Sequence, residues 1–445
     1  WRRVTSTSMY SYLMYKKLLS LTNVNLIRLI FSNAGAQAIA FMIYPLISRV
    51  FTVEEFGVFG SISAISAIMI AVGPLKLEVA VMLEKSNSYR SQLLVFCVFL
   101  VAEIALFFLF FGSILGILAP DLNIDLNFLI MVASVYSANT LLILAIQWLN
   151  YNKLYKNLSA TVITKSVAVS LLQLLFGVIG LSYFGLVLGA VVGCLCSIVY
   201  VLYSQRATLN KACLKLKRST ISRIFKDHRD FIFYCAPKDL LNACSSMLPI
   251  LLFTVFFNQA MVGAYFFGVK IIQIPAGFFG EAIKNIVLQK IASESTNKDL
   301  VLALCVKYTF VTLAACLPII VLIFFFGPQL FQFIFGDDWG VAGQFSSWIV
   351  IWVASSLSNI SAMQICYVYG YQKFVLYFEI LQTIARSLVL AYGCLYLEPL
   401  GAIKIFSICG VVFNAILIAS VLLYFKSKLQ SNTKHPLEDT KGAMQ

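Results

Sequence analysis

Apolar residues in this chain run in blocks of twenty or more, separated by short clusters of Lys, Arg, Asp, Gly and Pro, and do not alternate with polar residues at a helical or strand period. A helix rises 1.5 Å per residue, so about 20 apolar residues cross a hydrocarbon layer of roughly 30 Å. The blocks predict twelve such spans, at 26–50, 57–83, 92–118, 128–150, 158–180, 184–204, 233–257, 262–288, 300–327, 342–369, 374–396 and 400–425. The fold class expected is therefore an all-α polytopic membrane protein. Composition agrees, with 60% hydrophobic and 12% charged residues, against about 25% charged in an average soluble domain. The first block is long enough to span, so no cleavable leader is expected.

Basic residues orient the spans, because short translocated loops exclude Lys and Arg. With the N-terminus inside, the cytoplasmic segments hold Arg2, Arg3, Lys16, Lys17, Lys85, Arg90, Lys153, Lys156, the eight basic residues from Arg206 to Arg229, Lys290, Lys298, Lys373, Lys426, Lys428, Lys434 and Lys441. The outer loops hold neither Lys nor Arg, and carry Glu54, Glu55, Asp121, Asp125, Asp337, Asp338 and Glu398. This alternation predicts an N-in, C-in chain. It also accounts for the net charge of +14 without nucleic acid, since the basic residues are spread along one membrane face with no aromatic stacking platform. Residues 205–232 are read either as an amphipathic helix on the anionic leaflet, with Leu214, Ile221, Ile224 and Phe225 among basic residues, or as a solvated tether.

A shift of 206 residues lays Phe51–Phe59 on Phe257–Tyr265, matching Gly57 to Gly263. Ala119-Pro120-Asp-Leu122 answers Gly327-Pro328-Gln-Leu330, and Tyr151-Asn-Lys153 answers Tyr371-Gln-Lys373. Three matches in one order predict a parallel six-plus-six duplication. The expected layout is a cytoplasmic N-terminus at 1–25, a first lobe at 26–204, a basic linker at 205–232, a second lobe at 233–425 and a cytoplasmic tail at 426–445.

Charge inside the spans is the main functional signal. Each centrally placed Lys, Arg, Asp or Glu costs about 2.5–3.5 kcal/mol on insertion scales, so such groups face a wet cavity or each other. They concentrate in the repeat-equivalent spans 1, 2, 7 and 8, as Arg28, Arg49, Lys76, Glu78, Lys238, Asp239, Lys270, Glu281 and Lys284. Arg28, Arg49, Lys284 and Lys307 also lie close enough to a span end to snorkel. Lys76 and Glu78, like Lys238 and Asp239, are too close in sequence to pair side by side on one helical face, so partners are expected across helices. Glu281 and Lys284 are spaced for an ion pair, and Arg386 for a pair with Glu379 two turns away. Gly73-Pro74, and Pro275 with Gly277 and Gly280, are expected to break spans 2 and 8, whereas Gly185, Gly189 and Gly193 offer a flat packing face.

Enzyme chemistry has little to stand on. The chain has two histidines, His228 and His435, and no GxxxxGK[ST] loop, so it offers neither a histidine-based zinc site or triad in the membrane nor a phosphate-binding loop for ATP. The eleven cysteines are scattered through the spans without a CxxC and read as small buried hydrophobes.

The segment Tyr44-Pro45-Leu-Ile-Ser48-Arg49-Val-Phe51-Thr-Val-Glu54-Glu55-Phe56-Gly57, followed by Gly73-Pro74-Leu-Lys76-Leu-Glu78, resembles the start of Wzx-type O-antigen flippases of the multidrug/oligosaccharidyl-lipid/polysaccharide exporter superfamily. The resemblance implies two parallel six-helix lobes in a bacterial inner membrane. The implied activity is translocation of an undecaprenyl-diphosphate-linked oligosaccharide to the periplasmic leaflet by alternating access, without catalysis. Arg28, Arg49, Lys76, Lys238, Lys270 and Lys284 are then expected to contact diphosphate or sugar. Glu78, Asp239 and Glu281 are expected to hold these cations or to bind a coupling H⁺ or Na⁺, with no other cofactor and no metal. Membrane lipids, a glycan polymerase and a chain-length regulator are the expected partners. An ion-coupled multidrug or sugar exporter stays open as an alternative. So does a membrane-embedded glycan polymerase, although its long arginine-bearing outer loop is missing.

Overall fold

The structure, a computed structural model, describes residues 35–84, 86–118, 125–209, 218–294, 298–369 and 371–434. The described residues are helical throughout. They form α1 (Gly35–Ile47), α2 (Val53–Val72), α3 (Leu77–Leu83), α4 (Asn87–Leu118), α5 (Leu126–Tyr151), α6 (Tyr155–Val178), α7 (Ser182–Leu209) and α8 (Arg218–Asp227). A π turn at Phe231–Cys235 leads into α9 (Ala236–Phe256), followed by α10 (Gln259–Ser293), α11 (Lys298–Phe335), α12 (Gly340–Ser358), α13 (Ile360–Val368), α14 (Gln372–Tyr396) and α15 (Pro399–Lys434). Eleven spans among the described residues are long and apolar enough to cross a membrane, and α1 is a shorter apolar helix. The outward surface is apolar, with Phe310, Phe325 and Phe333 exposed on α11, as expected where lipid is the solvent.

Two compact units divide the chain, one comprising residues up to Phe51 and Val58–Met247, the other Thr52–Gly57 and Leu248 onward. In the first unit, Gly189 and Gly193 of α7 lie against the backbone of Gln173 and Val169 on α6, where any side chain at either glycine would collide. The Gln173 side-chain amide donates to the Leu186 carbonyl at 2.9 Å. Small residues thus allow the close helix approach that packing in lipid depends on.

Within the linker a helix forms, α8, and it packs on α4. Ile224 of α8 is buried, Phe225 meets the edge of Phe96 on α4, and the Tyr89 hydroxyl donates to Asp227 at 3.3 Å. The apolar face of α8 is therefore spent on α4. Leu214, Lys215 and Lys217 lie outside the described residues. Arg90, counted among the cytoplasmic basic residues, is buried with its guanidinium 3.2 Å over the Tyr151 ring.

In the second unit, two positions aligned by the 206-residue shift each cap a helix. Thr52 and Glu55 bond reciprocally, the Thr52 amide donating to the Glu55 carboxylate and the Glu55 amide to the Thr52 hydroxyl, which is a capping box. At the equivalent position, Asn258 caps α10 by accepting from the Met261 amide at 3.0 Å. The matched glycines meet directly, since a Cβ on Gly263 would lie 1.8 Å from the Val53 carbonyl oxygen and one on Gly57 2.0 Å from that of Gln259. Farther along, Val287, Ile291, Val301, Cys305, Ile365 and Val421 form a buried core.

Span 2 is broken as expected, but span 8 is not. Pro275 lies inside an uninterrupted α10, because a proline removes only one donor from the ladder and a long helix in lipid tolerates that loss.

Candidate functional site

The break in span 2 builds the site. After α2 ends at Val72, Gly73 (φ 29°), Leu75 (φ 57°) and Lys76 (φ 60°) all take positive φ, and α3 restarts at Leu77. Left-handed backbone costs a residue bearing Cβ about 1–2 kcal/mol, and strain of this kind collects at functional sites. Proline supplies the interruption, because Pro74 has no amide to continue the ladder of α2. The reversal turns the Lys76 side chain onto two carboxylates. Its Nζ lies 2.7 Å from Asp239 Oδ2 and 3.4 Å from Glu78 Oε1.

This corrects the expectation that Lys76 and Glu78 are too close in sequence to pair. The spacing argument holds for a continuous helix, whereas Lys76 stands in a turn ahead of α3. The cross-helix partner is Asp239, in the turn of α9 that continues from the π turn. Glu78 is 6% exposed and its Oε2 has no hydrogen-bond partner. The Lys76 side chain keeps 25% of its surface open and that of Asp239 34%. The cluster therefore joins one buried acid to a cation and a second acid that solutes can reach, and with all three groups ionised it carries a net charge of −1.

The other expected site residues do not join this cluster. Arg49 and Lys238 are exposed, and neither forms an ion pair among the described residues. Lys270 of α10 is half-buried, with its Nζ 5.3 Å over the Phe266 ring. Glu281 and Lys284 are both exposed on α10 and form no ion pair with each other, so their spacing permits a contact that the side chains do not make. Arg28 lies outside the described residues.

Two cations of the second unit are not selected as site residues by the sequence reading. Arg386, expected to pair with Glu379, instead lies in the corner formed by two rings, 4.1 Å from the Trp352 centroid and 4.0 Å from that of Phe406, which are 5.7 Å apart. Lys404 stands 5.4 Å over Trp348. Trp348 and Trp352, one turn apart, thus present α12 to a cation from α15 and one from α14. Two desolvated cation–π contacts at about 2 kcal/mol each offset the insertion cost of an arginine, which explains how Arg386 stays in the lobe while Glu379 is exposed on the same helix. In the first unit, the Lys165 ammonium donates to the Asn139 side-chain oxygen at 3.1 Å. The signal for Arg386 is the i, i+4 tryptophan pair, which in sequence is indistinguishable from ordinary span content.

Residues 46–344 match the family model described as "Polysaccharide biosynthesis protein". No curated protein matches. Among solved structures, the fold is similar to "Lipid II flippase MurJ, inward closed conformation", with a TM-score of 0.68, 13% identity and 90% of each chain covered. It is also similar to an inward-facing multidrug resistance MATE family transporter of the MOP superfamily, with a TM-score of 0.61, 12% identity, and 90% of this chain and 96% of that one covered. A third is a mutant of the Vibrio cholerae MATE transporter VcmN, with a TM-score of 0.53, 15% identity, and 93% and 97% covered. The all-helical fold, the charged break in span 2 and the matched family model agree with the resemblance to Wzx-type flippases: this multi-pass membrane chain belongs to the polysaccharide biosynthesis protein family.

Proposed function

We propose that this protein is a flippase that moves an undecaprenyl-diphosphate-linked oligosaccharide, such as an O-antigen repeat unit, from the cytoplasmic to the periplasmic leaflet of a bacterial inner membrane. The observation that carries this reading is the ion cluster at Lys76, Glu78 and Asp239 in a chain of a polysaccharide biosynthesis family. A lipid-linked diphosphate must bring its charge across a low-dielectric layer, where an unscreened ion is far costlier than in water. A cation positioned in the layer lowers that barrier while the polyprenyl tail stays in lipid. The fold's likeness to a lipid II flippase supports the same cargo class.

The geometry suggests how the cation is released to the cargo. A proton or Na⁺ taken up at Asp239 or at the unpartnered Oε2 of Glu78 neutralises the cluster and loosens the hold on Lys76, whose ammonium then meets a phosphate oxygen. Reversal restores the pair and expels the anion. No bond in the substrate is made or broken, so the protein works as a transporter without ATP chemistry. A multidrug exporter has the same fold, and it is the polysaccharide biosynthesis family match that favours a glycolipid cargo over a drug.

The test is deletion of the gene, followed by measurement of surface glycan and of the leaflet holding the lipid-linked oligosaccharide. Accumulation on the cytoplasmic leaflet is expected. Normal surface glycan in the deletion strain contradicts the proposal.

A further inference from the structure

Glu103 stands in the middle of α4 with nothing beside it to pair with. It lies sixteen positions beyond Asn87 and fifteen before Leu118, so roughly 20 Å of helix separates it from either end. A glutamate side chain is too short to reach water from that depth, as the long stems of Lys and Arg can. It is exposed, and among the described residues it makes neither a hydrogen bond nor an ion pair. Phe96, Cys97, Leu100 and Val101 are buried on the other side of the helix. On the open side Val98, Phe99, Leu106, Phe107 and Phe110 are each more than 40% exposed, and Glu103 is the one polar residue from Val98 to Phe111. Such a face meets hydrocarbon and does not wall a wet path, so an acid on it is costly and marks a function.

Phe99, Glu103, Leu106 and Phe110 recur at steps of four, three and four residues, the spacing of a seam along which two helices supercoil. Ala102 is exposed beside Glu103, and a small residue there leaves room for a second backbone.

We propose that this seam of α4 is an interface between two copies of the chain in the membrane, closed by a hydrogen bond between their Glu103 carboxyls. A two-fold axis along the membrane normal brings a residue near the axis to its own counterpart at equal depth. A carboxyl is complementary to itself, because its protonated form donates and its ionised form accepts. One proton taken up from solvent lets the O–H of one copy donate to the carboxylate of the other, a short and strong bond. The seam carries a single polar group and no second charge by which a foreign helix would be selected. The interface is independent of which cargo the protein moves.

The test mixes donor-labelled and acceptor-labelled populations of the purified full-length protein, each tagged at the C-terminal tail, in phosphatidylcholine vesicles. Energy transfer is followed as the protein is diluted with lipid. Wild-type protein should show transfer above chance proximity that falls on dilution along a dimer curve. Glu103→Gln, which keeps a donor and an acceptor, should stay within about threefold of wild type, whereas Glu103→Leu should weaken association at least tenfold. Glu103→Lys should not associate alone but should pair with wild-type protein, since position 103 then meets an opposite charge. If Glu103→Lys does not fold, the contrast between Gln and Leu decides. Transfer at the chance level in wild type, wild-type association in Glu103→Leu, equal loss in Gln and Leu, or folded Glu103→Lys that fails to pair with wild type overturns the interface.

Discussion

Lys76 and Asp239, 163 positions apart in the sequence, meet at 2.7 Å because α2 stops at Val72 and the chain passes through left-handed backbone before α3 begins. The contact couples a strained turn to the first turn of α9. Breaking this half-open pair by Lys76→Ala should cost about 1–2 kcal/mol, between the values for surface and buried pairs. The exchange Lys76→Asp with Asp239→Lys should restore part of that loss. Thermal unfolding in detergent checks it, and no recovery in the double variant would sink the pairing.

The strain itself is measurable. Lys76→Gly removes the same charge as Lys76→Ala but suits φ 60°. It should therefore be more stable than the alanine variant by about 1 kcal/mol, with both equally impaired in transport. Equal stability of the two would show that the turn relaxes on substitution.

Gly263→Ala places a methyl carbon 1.8 Å from the Val53 carbonyl oxygen, an atom fixed in the backbone of α2. The helices must separate, at a cost of about 1–3 kcal/mol or more. Lower yield and a lower unfolding temperature are expected, and Gly57→Ala should behave alike. Gly277→Ala supplies a steric control, because a Cβ there meets nothing within 4 Å.

Thr52→Ala removes one half of the capping box and should cost about 1 kcal/mol, as should Asn258→Ala at the cap of α10. Because the two caps share no partner, their effects should add. Additivity is checked in the double variant.

Much of this is legible in the sequence, and the failures have a common cause. Apolar blocks announce the spans, and the 206-residue shift matches Thr52 to Asn258 and Gly57 to Gly263 without any geometry. Spacing misjudges Lys76 and Glu78 because i, i+2 side chains diverge on a helix, and Pro74 removes the helix there. It misjudges Arg386 because a carboxylate two turns away is visible as spacing, whereas ring faces from α12 and α15 are brought in only by packing. Local pattern locates the charges. Their partners depend on tertiary contacts.

The central claim concerns the leaflet on which the cargo resides. The most direct measurement reconstitutes the protein into proteoliposomes bearing lipid-linked oligosaccharide, and follows how much glycan becomes accessible to a membrane-impermeant glycosidase. The account predicts that wild-type protein equilibrates the glycan between leaflets and that Lys76→Ala and Asp239→Asn slow this by at least tenfold. Wild-type vesicles no faster than protein-free vesicles, or full activity in both variants, would contradict it.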